Sequence, residues 1–327
     1  MPMSAPRAVV FRFLAILAGL VVLPAALAQD SFPAARPIEF VVLFPAGSSA
    51  DVTARVLAEG MGRQLGTQIV VVNRPGGGGA VGYKYAVQQA PDGHHLVWSS
   101  NAISTTYHTG MLPFDYKSFL PVARVQMETP LLFVKSDAPW KALRDILQQA
   151  KAKPGTLTVG NSGFGSHTHL SSVWLFKASG FQVVDVPFNA AQVVPSLLGG
   201  HVDAVVQLPG ALAGLVKAGT VRALVALSGT RDPYFPDVPT AREQGMNMSA
   251  ELWRGVAVPK GTPPRIVARL EDAIRKTVAS PEFVRATEKL LVAPAFLPAV
   301  EFGKMIAKED AEIARTVKAL GIRQDSK

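Results

Sequence analysis

The strongest constraint on this chain is a pair of loops, each leaving a short apolar run and opening a helix-like segment. The first is Phe44-Pro-Ala-Gly-Ser-Ser-Ala-Asp-Val-Thr-Ala-Arg55, after the run Ile38–Leu43. The second is Gly160-Asn-Ser-Gly-Phe-Gly-Ser-His-Thr-His-Leu170, after Leu157–Val159. A strand, a small-residue loop and a helix start in that order gather unpaired backbone N–H groups at the positive end of a helix dipole, which makes an anion site. Two such sites in one chain imply a ligand held between two lobes. Ordinary βα turns also use glycine and serine at helix starts, so either loop alone is compatible with a purely structural role.

Strand and helix patterns alternate along the rest of the chain. Val52, Val56, Leu57, Met61 and Leu65 recur at helical spacing, with Gly66 where a C-terminal cap belongs. Ile69–Val72 reads as a buried strand, Arg74–Gly79 as a turn before a helix ending near Ala90, and His95–Trp98 as the next strand. The second half predicts helices over 167–178, 190–198 and 210–218, with strands Val202–Val206 and Val221–Leu227 between and after them. The tail from Pro263 reads as nearly all helix, and Gly255–Val258 before it as a strand returning to the first lobe. The expected fold is α/β with two lobes, each a mostly parallel sheet flanked by helices. Lobe 1 is expected over 29–129 and 253–327 and lobe 2 over 130–252, hinging near Glu128–Leu131 and Leu252–Gly255.

Arg7 and Arg12 precede an apolar run from Phe13 to Leu23, and Ala26-Leu-Ala28 follows it. This is the pattern of a signal peptide, residues 1–28, cleaved after Ala28, so that the mature chain starts at Gln29. The run is shorter than the roughly 20 residues a membrane span needs. The chain has no cysteine, which excludes a disulfide framework, thiolate zinc, a cysteine nucleophile and a lipid-modified N-terminal cysteine. A free protein in the periplasm is expected. The formal net charge is +9, yet lysine and arginine are scattered, so no nucleic-acid footprint is read and a bias toward small anionic solutes is.

Other chemistries fit less well. Gly77-Gly-Gly-Ala-Val-Gly82 matches G-x-G-x-x-G, but the acidic residue that a dinucleotide site wants at the end of the next strand is missing; that strand ends Ser99-Ser-Asn101. A flexible turn is the better reading, and no cofactor is expected. Ser162 with His169, completed by Asp185 or Asp203, is the alternative of a secreted α/β hydrolase, although Phe164 stands where G-x-S-x-G needs its last glycine. His94 and His95 adjoin a turn and are expected to be solvated, and with His201 alone no metal set is expected.

The first loop resembles the F-P-x-G-G-x-x-D-x-x-A-R signature of the substrate-binding receptors of tripartite tricarboxylate transporters, the Bug-type family. The similarity continues through Val72-Asn-Arg-Pro-Gly76, Gly78–Gly82, Pro91-Asp-Gly93, Gly199-Gly-His-Val-Asp203 and Pro236-Asp-Val-Pro-Thr240, in order across the mature chain. The resemblance implies a periplasmic Venus-flytrap receptor that captures a small carboxylate or related organic anion. It implies delivery to membrane permease subunits, with the receptor a monomer. Phe44, Ala46, Gly47, Ser48, Ser49 and Asp51 are then expected on the first-lobe wall, Asp51 orienting the loop rather than touching an anion. Ser162, Gly163, Gly165, Ser166 and His169 are expected on the second, with Asn189 nearby and Asp203 meeting an amine or serving structure. Backbone amides carry the anion in this reading, with no buried arginine needed. Two departures from the family stand out. Ser48 replaces a glycine and adds a side-chain donor, and Phe188-Asn-Ala-Ala191 replaces a glycine-bearing loop. A sensor module on the same fold is a third reading.

Overall fold

The computed structural model describes residues 32–33, 36–177 and 180–322. The expected signal peptide lies outside the described residues. Two sheets organise the chain. The first takes β1 (Ile38–Val42), β2 (Ile69–Asn73), β3 (His95–Ser100) and β4 (Phe119–Glu128) before the chain leaves it. The second is built from β5 (Leu131–Lys135), β6 (Thr158–Asn161), β7 (Val184–Pro187), β8 (Ala204–Gln207) and β9 (Val221–Ala226). The chain then returns to the first through β10 (Leu252–Pro259) and β11 (Ala293–Pro298). Strand orders are β11-β4-β10-β3-β1-β2 and β7-β6-β8-β5-β9.

Helices cover both faces. α1 (Ser49–Leu65), α2 (Ala80–Ala86) and α3 (Ala102–His108) belong to the first half, and α4 (Leu143–Ala152), α5 (His167–Lys177), α6 (Val193–Leu198) and α7 (Ala213–Lys217) to the middle. α8 (Pro264–Val278), α9 (Pro281–Glu288) and α10 (Ala299–Leu320) close the chain. Alternation along β1 explains the layering. Ile38, Phe40 and Val42 face a core shared with Leu57, Met61, Leu270 and Ile274 of α1 and α8. Leu43, one residue past β1, joins Tyr83, Ile103, Phe302 and Ile306 on the other face. A strand buried on both faces reads as a near-continuous apolar run, here broken only by the half-buried Glu39. In the second sheet Val134 and Val159 pack on α4 and α5, and Phe133 and Val205 on α6.

Among the described residues two of the five strand pairings in the first sheet and two of the four in the second are parallel. β1 pairs in parallel with β2 and β3, and β6 with β7 and β8, as βαβ rhythm requires. β10 runs antiparallel to both β3 and β4, and β5 antiparallel to β8 and β9. The reason is the exchange of the chain between sheets: a strand that enters from the other lobe arrives from the opposite end. Local expectations shift too. The helix after Gly79 stops at Ala86, the one expected over 190–198 begins at Val193, and 210–218 divides into a 3-10 turn at Pro209–Ala211 and α7. The tail is nearly all helix as expected, in α8, α9 and α10, but the stretch between α9 and α10 adds β11, which pairs with β4. Its Ala-Pro-Ala-Phe-Leu-Pro sequence hides a strand behind two prolines, which an edge position tolerates. His94 is buried rather than solvated: its ring meets Phe32 edge-on and its Nδ1 lies 3.3 Å from Pro37 O.

Gly60 fixes how closely α1 approaches α8. A Cβ built there would lie 2.2 Å from Thr277 Cγ2, and Thr277 is pinned by its Oγ1 donating to Ala273 O at 2.8 Å. Gly60→Ala gains up to about 1 kcal/mol of helix propensity. Overpacking costs about 1–3 kcal/mol, so the variant is expected to lose stability in urea melts. Adding Thr277→Ser, which keeps the hydroxyl and removes the methyl, is expected to restore it.

Candidate functional site

A cleft of about 220 Å³ opens where the two sheets face each other. It would hold about seven waters at ~30 Å³ each, the room of a small metabolite. One wall is the loop between β1 and α1. Gly47 takes φ 78°, a left-handed turn that glycine enters without strain. Ser48 is the N-cap of α1, its Oγ accepting from Asp51 N at 3.3 Å and donating to Pro45 O at 2.7 Å. The donor that Ser48 adds to the family pattern is thus used inside the loop. Asp51 holds the loop from behind. Its carboxylate accepts from Gly47 N at 2.9 Å, Asn73 Nδ2 at 2.9 Å and Arg55 Nε at 3.1 Å. Burial pushes this carboxyl up, but those donors outweigh it and leave it below its usual range.

The second wall repeats the construction. Ser162 N donates to Thr168 Oγ1 at 3.0 Å, and His169 N donates to Ser166 Oγ at 3.2 Å, as at a capped helix start. Val52 N and Leu170 N make the first main-chain turns of α1 and α5, to Ser48 O and Ser166 O. The amides of Ser49, Ala50, His167 and Thr168 therefore precede any intrahelical acceptor, and all four residues line the cleft. Two helix N-termini from different sheets converge on one space. Their dipoles add, so the cleft favours negative charge.

Two side chains at the floor were not among the sequence candidates. Arg254, on β10, is 3% exposed and lines the cleft. Its Nε donates to Glu128 Oε2 at 2.7 Å, and Glu128 also accepts from Ser49 Oγ at 2.6 Å and Gln126 Nε2 at 3.0 Å. Gln207, at the end of β8, donates through Nε2 to Ser162 Oγ at 3.0 Å. A lone arginine in the apolar run Leu252-Trp-Arg-Gly-Val-Ala-Val258 was the available signal for the first, since charge inside a buried strand needs a reason. His167 stands at the inner end. Its Nε2 lies 2.8 Å from Ala250 O and must donate to it, which leaves Nδ1 as a bare acceptor with no partner among the described residues. Burial, with a smaller push from Arg254, takes its pKa down to about 4, so the ring is neutral.

Phe44, Ala46, Gly47, Ser48, Ser49, Ser162 and Ser166 line the cavity; six other candidates do not. Asp51 sits behind the loop, as described. Gly163 and Gly165 lie to the side: a Cβ on Gly165 would meet Met111 Sδ at 2.7 Å. His169 turns away, its Nδ1 accepting from Gly165 N at 3.3 Å and its ring against Phe164. Asn189 is exposed, while Ala190 and Ala191 beside it reach the cleft. Asp203 is at the far end of the second sheet, its carboxylate taking Thr158 N at 2.8 Å and Thr158 Oγ1 at 2.7 Å. The hydrolase set is not assembled either. Ser162 meets Gln207 rather than a histidine, and Asp185 accepts from Ser172 Oγ at 2.6 Å.

A cleft between two α/β lobes, walled by opposed helix starts, defines a two-lobed solute-binding receptor. The model of the tripartite tricarboxylate transporter family receptor matches residues 53–322. The chain belongs to that family, whose solved members include periplasmic binding proteins of the Bug type. It is 32% identical over 322 residues to protein BugT of Bordetella pertussis, covering 95% of this chain and 98% of that one. The structure of periplasmic binding protein BugD superposes with a TM-score of 0.83 at 27% identity, covering 88% and 98% of the two chains. MatC from Rhodopseudomonas palustris with bound malate gives 0.80 at 27% identity, covering 86% and 99%. The family and these neighbours are solute-binding receptors rather than enzymes, so the hydrolase alternative falls away as the chain's role.

Behind His167 a second hollow holds Glu251, Glu309 and Glu312. Glu309 accepts from Asn101 Nδ2 and Trp253 Nε1, and burial pushes its pKa up to about 7, with Glu312 and Glu251 adding to the rise. A carboxyl raised from 4.5 to about 7 makes the folded state bind the extra proton between those values, so its contribution to stability falls as pH rises through that window. Glu309→Gln removes this dependence. Whatever its constant offset, the variant is expected to gain about 3 kcal/mol on wild type between pH 4.5 and 7 and nothing further above, measured by urea titrations at each pH.

Proposed function

We propose that this receptor captures a small organic anion, a carboxylate, between its lobes, closes on it, and presents it to the permease subunits of a tripartite transporter. The observation that carries the reading is the convergence of the α1 and α5 N-termini, from different sheets, on one cleft whose first-turn amides have no intrahelical acceptor. Charge-assisted N–H bonds in a site from which water is excluded are the strong ones. The malate bound to MatC is consistent with it. Phe44, Ala46, Ser48, Ser49, Ser162 and Ser166 face the ligand in this reading, and Asp51 and Asp203 serve structure. The chain works in the periplasm after cleavage following Ala28, as a monomer, without cofactor and without chemistry on the ligand. Its lobes are 29–129 with 253–327, and 130–252.

Thermal shift and calorimetry with mono-, di- and tricarboxylates test this, together with mass spectrometry of ligand released from gently purified protein. At least one acid is expected to bind, to stabilise the fold by about 2.7 kcal/mol at 100-fold above Kd, and to be recovered intact after long incubation. A folded, ligand-free sample indifferent to every acid, or conversion of the acid that Ser162→Ala abolishes, would refute the reading.

Closure has its own test. Gly78 belongs to the glycine run after β2, at φ 62°, and a Cβ on it would come within 2.7 Å of Phe164 O and 2.8 Å of Ser166 N in the opposite lobe. Gly78→Val is expected to leave the lobes folded but hold them apart. Scattering should show a larger radius of gyration with ligand than wild type has, and affinity should fall at least about tenfold, the cost of roughly one charged hydrogen bond.

A further inference from the structure

Arg254 stands where β10 brings the chain back to the first sheet, in register with Gln126 of β4. Its guanidinium has five N–H donors. Among the described bonds only Nε is used, on Glu128 Oε2. Glu128 accepts from three directions, from Arg254, Gln126 and Ser49, and its side chain is fully buried. The ion pair neutralises the charge of the guanidinium without using the terminal fork. Cζ sits 5.9 Å from the centre of the Phe44 ring, and both residues line the cleft.

Donors in the cleft outnumber what one acidic group accepts. A carboxylate offers about four lone-pair sites. The amides of Ser49, Ala50, His167 and Thr168 already match them. A monoacid on the helix starts would leave the guanidinium fork facing a dry, occupied cleft with its donors unmatched, which is costly for a buried charged group. A planar acidic group fits such a fork with two parallel bonds, a geometry that arginine alone among the side chains supplies.

We propose that Arg254 is a specificity-determining residue: its terminal N–H fork receives a second acidic group of the ligand, so that the receptor selects short diacids over monoacids. The inference rests on the proposed capture of a carboxylate at the helix starts and adds the group at the other end. Glu128 is the positioning residue that holds the fork by its Nε side. The cavity of about 220 Å³ keeps the spacer short.

Calorimetry with matched pairs at one pH and ionic strength tests it: succinate against butyrate, glutarate against pentanoate, adipate against hexanoate. Wild type is expected to bind at least one diacid about 100-fold tighter than its monoacid, the worth of a bidentate charged contact. Two variants follow. Arg254→Lys keeps a cation beside Glu128 and loses the fork. The double variant Arg254→Gln with Glu128→Gln removes both charges, so that neither is left buried alone. In each the diacid preference is expected to shrink below about tenfold, with diacid affinity falling well beyond any loss of monoacid affinity. Thermal melts report folding, and if the double variant does not fold the lysine variant decides. A preference retained in a folded variant, or equal weakening of both acids, would overturn the inference. So would a wild type that binds monoacids and diacids alike, which leaves capture at the helix starts intact. A wild type that binds no acid of either series overturns the capture reading and this one together.

Discussion

Glu128 and Arg254 form a buried ion pair between the two strands that carry the chain from one sheet to the other. Glu128 is the last residue of β4, and Arg254 lies near the start of β10, diagonally across the ladder. Taking two charges out of water costs several kcal/mol per ion unless geometry and further hydrogen bonds compensate. Here compensation comes from named groups. Gln126 lies on the same strand as Glu128, and Ser49 is the first residue of α1. One carboxylate therefore ties the crossover strands to the helix whose N-terminus forms a cleft wall. The position of that wall relative to the crossover strands is set by this cluster. Replacing one partner alone would strand a charge, so the elements meeting there behave as a unit.

The sequence carried the parts of the site that local rules control. A capped helix start after a strand is a local event, and both loops were legible as helix starts because Ser48, Asp51 and Ser166 make bonds within a few residues of themselves. Contacts across the chain were invisible to that reasoning. Arg254 meets Glu128 over a separation of 126 residues, and Gln207 meets Ser162 over 45. Asp203 looked available because its partner, Thr158, comes from a neighbouring strand. His169 looked directed at a ligand because it sits at a helix start, yet its side chain folds back on its own loop. β11 was lost to propensity, since two prolines argue against a strand until the edge of a sheet is known to be free.

The glycine run after β2 shows the same division. Its spacing imitates a nucleotide fingerprint, and the physics behind both is close approach of one backbone to another. In a nucleotide site the visitor is a pyrophosphate. Here it is the Phe164–Ser166 loop of the other lobe, against which Gly78 lies without a side chain. What the sequence announces is absence of bulk; only the tertiary structure says for whom the space is kept.

α10 adds a third link between the halves of the molecule. It begins on the first sheet, with Phe302 and Ile306 in that core, and ends against α5 of the second, where Leu170 packs with Ile313, Val317, Leu320 and Ile322. A molecule joined only by its crossover strands turns freely as a door does. This one also carries an oily seam along the jamb. Any parting of the lobes must slide that seam or wet it, and wetting apolar surface raises heat capacity. If the lobes open and close as proposed, that equilibrium inherits the curved temperature dependence of hydrophobic contacts, and the tail of the chain, far from the cleft, helps set how often the door stands ajar.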